Sequence, residues 1–157
     1  MSKIIPQKMT VEMDGEFIVY LVGMRINKPW KIHKWLPVFL AMPRMLKELA
    51  DDPESGLLGF RLVNPLTVLQ YWRSFEHLEA YARNKNKTHA PAWSAYFKAG
   101  NKESSDVGIW HETYRIPPGC YEVTYRNMPP FGLGEAGRLV PATTRHESAR
   151  ERMYQTN

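Results

Sequence analysis

The chain holds one cysteine, Cys120, in 157 residues. No intrachain disulfide can form, which fits a reducing compartment, and a cytoplasmic protein is expected. Cys120 reads as a small strand residue rather than a nucleophile. No apolar run approaches the roughly 20 residues of a bilayer-spanning helix, so no membrane partner is expected. The opening MSKIIPQKMTVEMDGEF is charged throughout and lacks the apolar centre of a signal peptide. There is no internal repeat and no low-complexity block. No histidine pair has zinc-ligand spacing. GLGEAG (132–137) has no following Lys-Ser/Thr and is not a phosphate loop. Flavin and nicotinamide fingerprints are missing, and no Ser-His-Asp arrangement can be argued from the spacings.

A net charge of +5 gathers in NKPWKIHKW (27–35), which contains His33, and in the tail RHESARERMYQTN. Basic residues beside aromatics can mark nucleic-acid binding. The surplus is modest and no helix-turn-helix, zinc-finger or RNA-binding signature accompanies it. A solvated face or a rim that greets an anionic ligand is the reading, with no nucleic-acid partner expected.

Glu16–Asn27 is β-branched and aromatic on both alternations, the mark of a strand buried on two faces. Lys34–Asp52 has helical spacing, with Pro37 in the first turn and Pro43 expected to kink or divide the helix. Gly56–Pro65 and Leu66–Ser74 read as a hairpin turned at Asn-Pro. Ser74 caps a helix striped by Phe75, Leu78, Tyr81 and Ala82. The polar RNKNKT interrupts it, and Thr88 can cap a second segment. Val107–Ile116 is a strand, and Cys120–Met128 is expected to be a fifth. The fold class is α+β, a ferredoxin-like β-α-β-β-α-β protomer with an extra C-terminal strand. An N-terminal arm (1–15), a core domain (16–128) and a C-terminal loop and tail (129–157) divide the chain. Strands apolar on both faces need their second face covered. Two such sheets packed face to face would do this.

Three blocks, YWRSFEHLEAYARNKNKTHAPAW, GIWHETYRI and YEVTYRNMPPFGL, resemble the small monooxygenase-like family of dimeric α/β-barrel proteins. That family includes a monooxygenase of the fungal fumagillin pathway. The resemblance runs from about Phe17 to Leu133. It implies a homodimer, a dimeric α/β barrel, with a small-molecule pocket between each sheet and its helices. The wider superfamily holds cofactor-free oxygenases, haem-degrading oxygenases, haem-dependent aldoxime dehydratases and members that only bind. Fold alone does not choose among them. The haem-degrading members add an echo: Trp72 precedes RSFEHL, and His89 on the next helical segment takes the place of the iron ligand. Asn27 would be a polar group above the iron.

The candidate site residues each carry a plain alternative. His89 and Trp93 share a helical face with Tyr96 or Phe97. They are either a core stripe with a satisfied histidine or a cofactor seat. A ligating His89 would be neutral, with its second nitrogen held by an acceptor. Trp72 is core or the wall of that seat. His111 and Glu112 are adjacent on a strand and point to opposite faces. If Ile109, His111 and Thr113 face inward, His111 is the acid, base or alternative ligand. If Trp110, Glu112 and Tyr114 face inward, the pocket is aromatic around a carboxylate base. The second orientation is favoured, because its residues form the more apolar set. Two functions follow. One is an oxygenase of a small apolar or aromatic substrate, cofactor-free through Glu112 or His111, or with haem on His89; haem would also support a dehydratase. The other is a non-catalytic protein that binds haem or a hydrophobic ligand.

Overall fold

The computed structural model describes residues 3–86, 94, 96–97, 105–143 and 147–154. Six strands are assigned among them: β1 (Met9–Glu12), β2 (Phe17–Ile26), β3 (Leu57–Asn64), β4 (Thr67–Trp72), β5 (Val107–Ile116) and β6 (Arg138–Pro141). The helices are α1 (Ile32–Ala50), α2 (Phe75–Arg83), α3 (Leu133–Ala136) and α4 (Ala149–Met153).

The main sheet has the order β3-β4-β2-β5 with every pairing antiparallel. Numbered within the β2-α1-β3-β4-α2-β5 unit, that is the ferredoxin-like order 2-3-1-4. β2 is central, as its two apolar faces require. Gly15, at φ 83, makes the turn into it. The β3–β4 turn is held by Asn64, whose Oδ1 accepts from the Leu66 N–H at 2.8 Å. Ser74 caps α2 as expected, its hydroxyl accepting from the His77 N–H.

α1 is one continuous helix, so Pro43 does not divide it. Pro37 and Pro43 each lack an N–H, which leaves the carbonyls of His33 and Phe39 without their intrahelical donors. Only Leu46 and Leu49 of α1 are buried, both near its C-terminal end. Tyr81 of α2 ties down the same end, its hydroxyl donating to Glu48 Oε2 at 3.1 Å.

Cys120–Met128 is not a regular strand. It makes two isolated bridges, Met9 with Tyr125 and Ile5 with Met128. The extra C-terminal strand is β6, paired antiparallel with β1 in a second, two-stranded sheet. This pair joins residues of the N-terminal arm to residues of the tail. It lies against the sheet face opposite α1 and α2, where Val11, Met13, Phe17, Tyr71 and Leu133 form a buried cluster. Arg61 fastens α3 there through Glu135 at 2.5 Å and stands 4.3 Å over the Phe131 ring. The helix-side cluster is Ile18, Leu49, Trp72, Leu78 and Tyr81.

Candidate functional site

Strand alternation sends Ile18, Tyr20 and Val22 of β2, Val68, Gln70 and Trp72 of β4, and Ile109, His111 and Thr113 of β5 to the helix side. A cavity of about 350 Å³ opens there between the sheet, α1 and α2. That is within the ~300–1,000 Å³ range of ordinary ligand pockets. Its walls are mostly apolar, with a few polar groups converging from the strands.

Trp72 is fully buried in the wall. Its indole Nε1 donates to Gln70 Oε1 at 2.9 Å. Gln70 is itself buried, and its amide nitrogen remains as a donor toward whatever fills the cavity. His111 stacks at a tilt on Tyr20, ring centroids 5.5 Å apart. Burial raises the Tyr20 phenol above its ordinary range. Tyr96 reaches the wall and donates its hydroxyl to the Val107 carbonyl at 2.8 Å. Thr113 adds a hydroxyl, and Glu79, ion-paired with Arg83 at 2.8 Å, stands at the α2 side.

The favoured orientation of β5 is reversed. Trp110, Glu112 and Tyr114 lie on the other face and are exposed. The Glu112 carboxylate accepts from the Tyr114 hydroxyl at 2.5 Å, which raises the Tyr114 pKa. Trp110 lies across the backbone of Gly23, its register partner, where an added Cβ would sit 2.8 Å from the indole. None of the three walls the cavity. Asn27 is also elsewhere, donating from Nδ2 to the Ser105 carbonyl at 2.9 Å. His89 and Trp93 lie outside the described residues.

As cavity-lining residues Gln70 and Tyr20 go unmarked in the sequence pattern, and Tyr81 reads there only as part of the apolar stripe of α2. A glutamine in a central strand otherwise apolar on both faces was the available signal.

The basic stretch is partly neutralised. Lys28 and Lys31 hold the buried Asp106 carboxylate at 2.7 and 2.9 Å. Asp106 also accepts the Asn27 N–H at its carbonyl, so it clamps the β2–α1 turn beside the start of β5. Among the described residues no group of His, Cys, Asp and Glu could hold a metal ion, and no helix is long and apolar enough to cross a membrane.

A haem held here would need an imidazole with its second nitrogen fixed by an acceptor. His111 is the imidazole in the described wall. No hydrogen-bond partner for either of its nitrogens is found among the described residues. Among the described residues nothing fixes His111 as an iron ligand, and the other candidate, His89, lies outside them.

The family model described as monooxygenase af470-like matches residues 17–133. The chain belongs to this family. No curated protein matches it. Among solved structures an aldoxime dehydratase superimposes with TM-score 0.59 at 13% identity, covering 96% of this chain and 45% of that one. The chain thus spans less than half the length of that enzyme, and the likeness is one of fold. SnoaB, a cofactor-independent oxygenase from Streptomyces nogalater, aligns with TM-score 0.41 at 10% identity over 65% of this chain and 92% of that one. A dimeric ferredoxin-like protein of unknown function from Jannaschia sp. CCS1 aligns with TM-score 0.42 at 19% identity, over 61% and 97%.

Proposed function

We propose that the protein is an oxygenase of an electron-rich, largely apolar small molecule, with His111 as its general base and no resident cofactor. The observation that carries this reading is His111, an exposed imidazole that lines a largely apolar and aromatic cavity whose wall also holds the buried Gln70 amide. Imidazole is the ordinary side chain for moving protons near neutrality. His111 would take a proton from an activated C–H of the substrate. The Gln70 amide would stabilise the anion's oxygen. The substrate carbanion gives its electrons to dioxygen and forms a C–O bond. The peroxide formed takes the proton back from His111. Loss of water then breaks the O–O bond as the second C–H proton leaves. A CH₂ becomes a C=O, one oxygen atom stays, and the other departs as water. The membership of a monooxygenase family supports the reaction class.

The exposure of Trp110 and Tyr114 among the described residues supports the homodimer that the resemblance implies. On this reading Glu112 belongs to the subunit interface and not to the chemistry.

Oxygen uptake tests the assignment, with a panel of activated methylene and hydroquinone compounds as probes. Cofactor-free protein is expected to consume oxygen. His111→Ala should lose roughly 10²–10⁴-fold, the usual share of a general base, while Glu112→Gln keeps the wild-type rate. Uptake that requires added haemin, with a Soret band indifferent to His111→Ala, would overturn this reading. The ligand would then be sought at His89.

A further inference from the structure

A second cavity of about 700 Å³ lies on the other flank of α1, over β3 and β4. It is larger than the His111 cavity, and Val38 and Met42 line both. These two residues are one turn apart on one face of α1. They form a ridge under the helix with a cavity on either side. The two spaces differ in chemistry. Tyr20, Gln70, His111 and Thr113 are on the His111 side. On the far side the side chains are apolar except Lys47 and Asn64.

We infer that the two cavities form one binding site for an elongated amphiphile. Its electron-rich ring lies against His111 and Gln70. Its alkyl or prenyl tail passes under α1 into the second cavity. This rests on the oxygenase reading of the His111 cavity and adds the class of substrate. A compact aromatic would leave the larger apolar space to water, and such a space gains most from an apolar occupant. The ridge is suited to passage. Met42 is unbranched and adapts its shape to a chain that slides past it. The stretch of α1 above it carries both prolines and little buried surface, so the roof can give.

Methionine-methyl NMR can see both ends, because Met45 lines only the His111 cavity, Met24 only the second one, and Met42 both. The probes are 4-ethylphenol and 4-nonylphenol, with each signal assigned by its Met→Leu variant. The ethyl compound is expected to shift Met45 and Met42 and leave Met24 unmoved. The nonyl compound should shift all three and bind at least tenfold tighter, since each buried methylene adds several-fold. Leu66→Trp, at a residue that lines the second cavity and not the His111 cavity, should abolish that advantage and leave ethylphenol binding within about twofold. Two results would sink the inference alone: nonylphenol moving Met45 without Met24, or Leu66→Trp leaving the advantage intact. Silence of Met45 with both phenols would remove the oxygenase reading as well.

Discussion

Tyr81 joins the helix-side core to a charge. Its ring packs on Trp72 at 6.2 Å between centroids, and its hydroxyl donates to Glu48. Burial, then the Glu48 carboxylate, push its pKa well above the ordinary 10.0. Tyr20, Tyr71, Tyr121 and Tyr125 are also raised, each chiefly by burial. A folded-state pKa above the unfolded one means the neutral phenol is favoured by folding. That stability is fully present below about pH 10 and is lost as pH rises through the folded values. Urea midpoints are therefore expected to be flat toward neutral pH on this account and to fall above pH 10. Tyr81→Phe should lower stability by about 1 kcal/mol at pH 7, the size of one lost hydrogen bond, and fall less steeply above pH 10. A steeper fall in the variant would contradict the assignment. Gly23 offers a second test. Gly23→Ala should cost roughly 1–3 kcal/mol by overpacking against Trp110, and a Gly23→Ala, Trp110→Ala double variant should recover most of it. Additive losses would show that the indole is not the obstacle.

The elements were largely legible where one physical cause dominated. β2 declared itself through two apolar alternations, β5 matched residue for residue at Val107–Ile116, and Ser74 marked the start of α2. The helical spacing of α1 holds, and only the expected division at Pro43 does not, because a proline costs a helix one hydrogen bond without necessarily ending it. Tyr121, Val123 and Tyr125 alternate correctly and do pack on one face. They lack a continuous neighbouring strand, which no local pattern can reveal. The face of β5 was misread for a related reason. Trp110 and Tyr114 are the more apolar set, yet among the described residues both stay exposed. Apolarity predicts burial and does not say by what. At this scale α1 carries its own prediction. Pro43→Ala restores a donor to Phe39 and should raise the thermal midpoint, by a free energy of about 1 kcal/mol or more. An unchanged or lower midpoint would mean that the helix already relaxes around the proline.

The whole molecule divides its sheet between two tasks. One face, under α1 and α2, holds the cavity. The other is half sealed by β1 and β6 and, among the described residues, left open around Trp110 and Tyr114. If that open half meets a second copy, Trp110→Glu should place a charge in the contact and shift the mass measured by light scattering from dimer to monomer. The His111 cavity faces away, so the cofactor-free reaction should survive in the monomer. A dimer indifferent to the substitution would put the contact elsewhere. None of this division was legible from composition, because it depends on where the two ends of the chain meet.

The pairing of Met9–Glu12 with Arg138–Pro141 has a consequence in time. On a ribosome β1 is made long before β6. It must wait, apolar and unpaired, until the last strand of its own cover has been synthesised. Closing a loop of this length costs only slightly more entropy than closing a shorter one, but long-range contacts of this kind form late. The ferredoxin-like unit can assemble first, with the Phe17 and Tyr71 side of its sheet still bare. If the lid of β1 and β6 closes last, the chain meanwhile leaves the Phe17 and Tyr71 side of its sheet without the cover that this pair supplies.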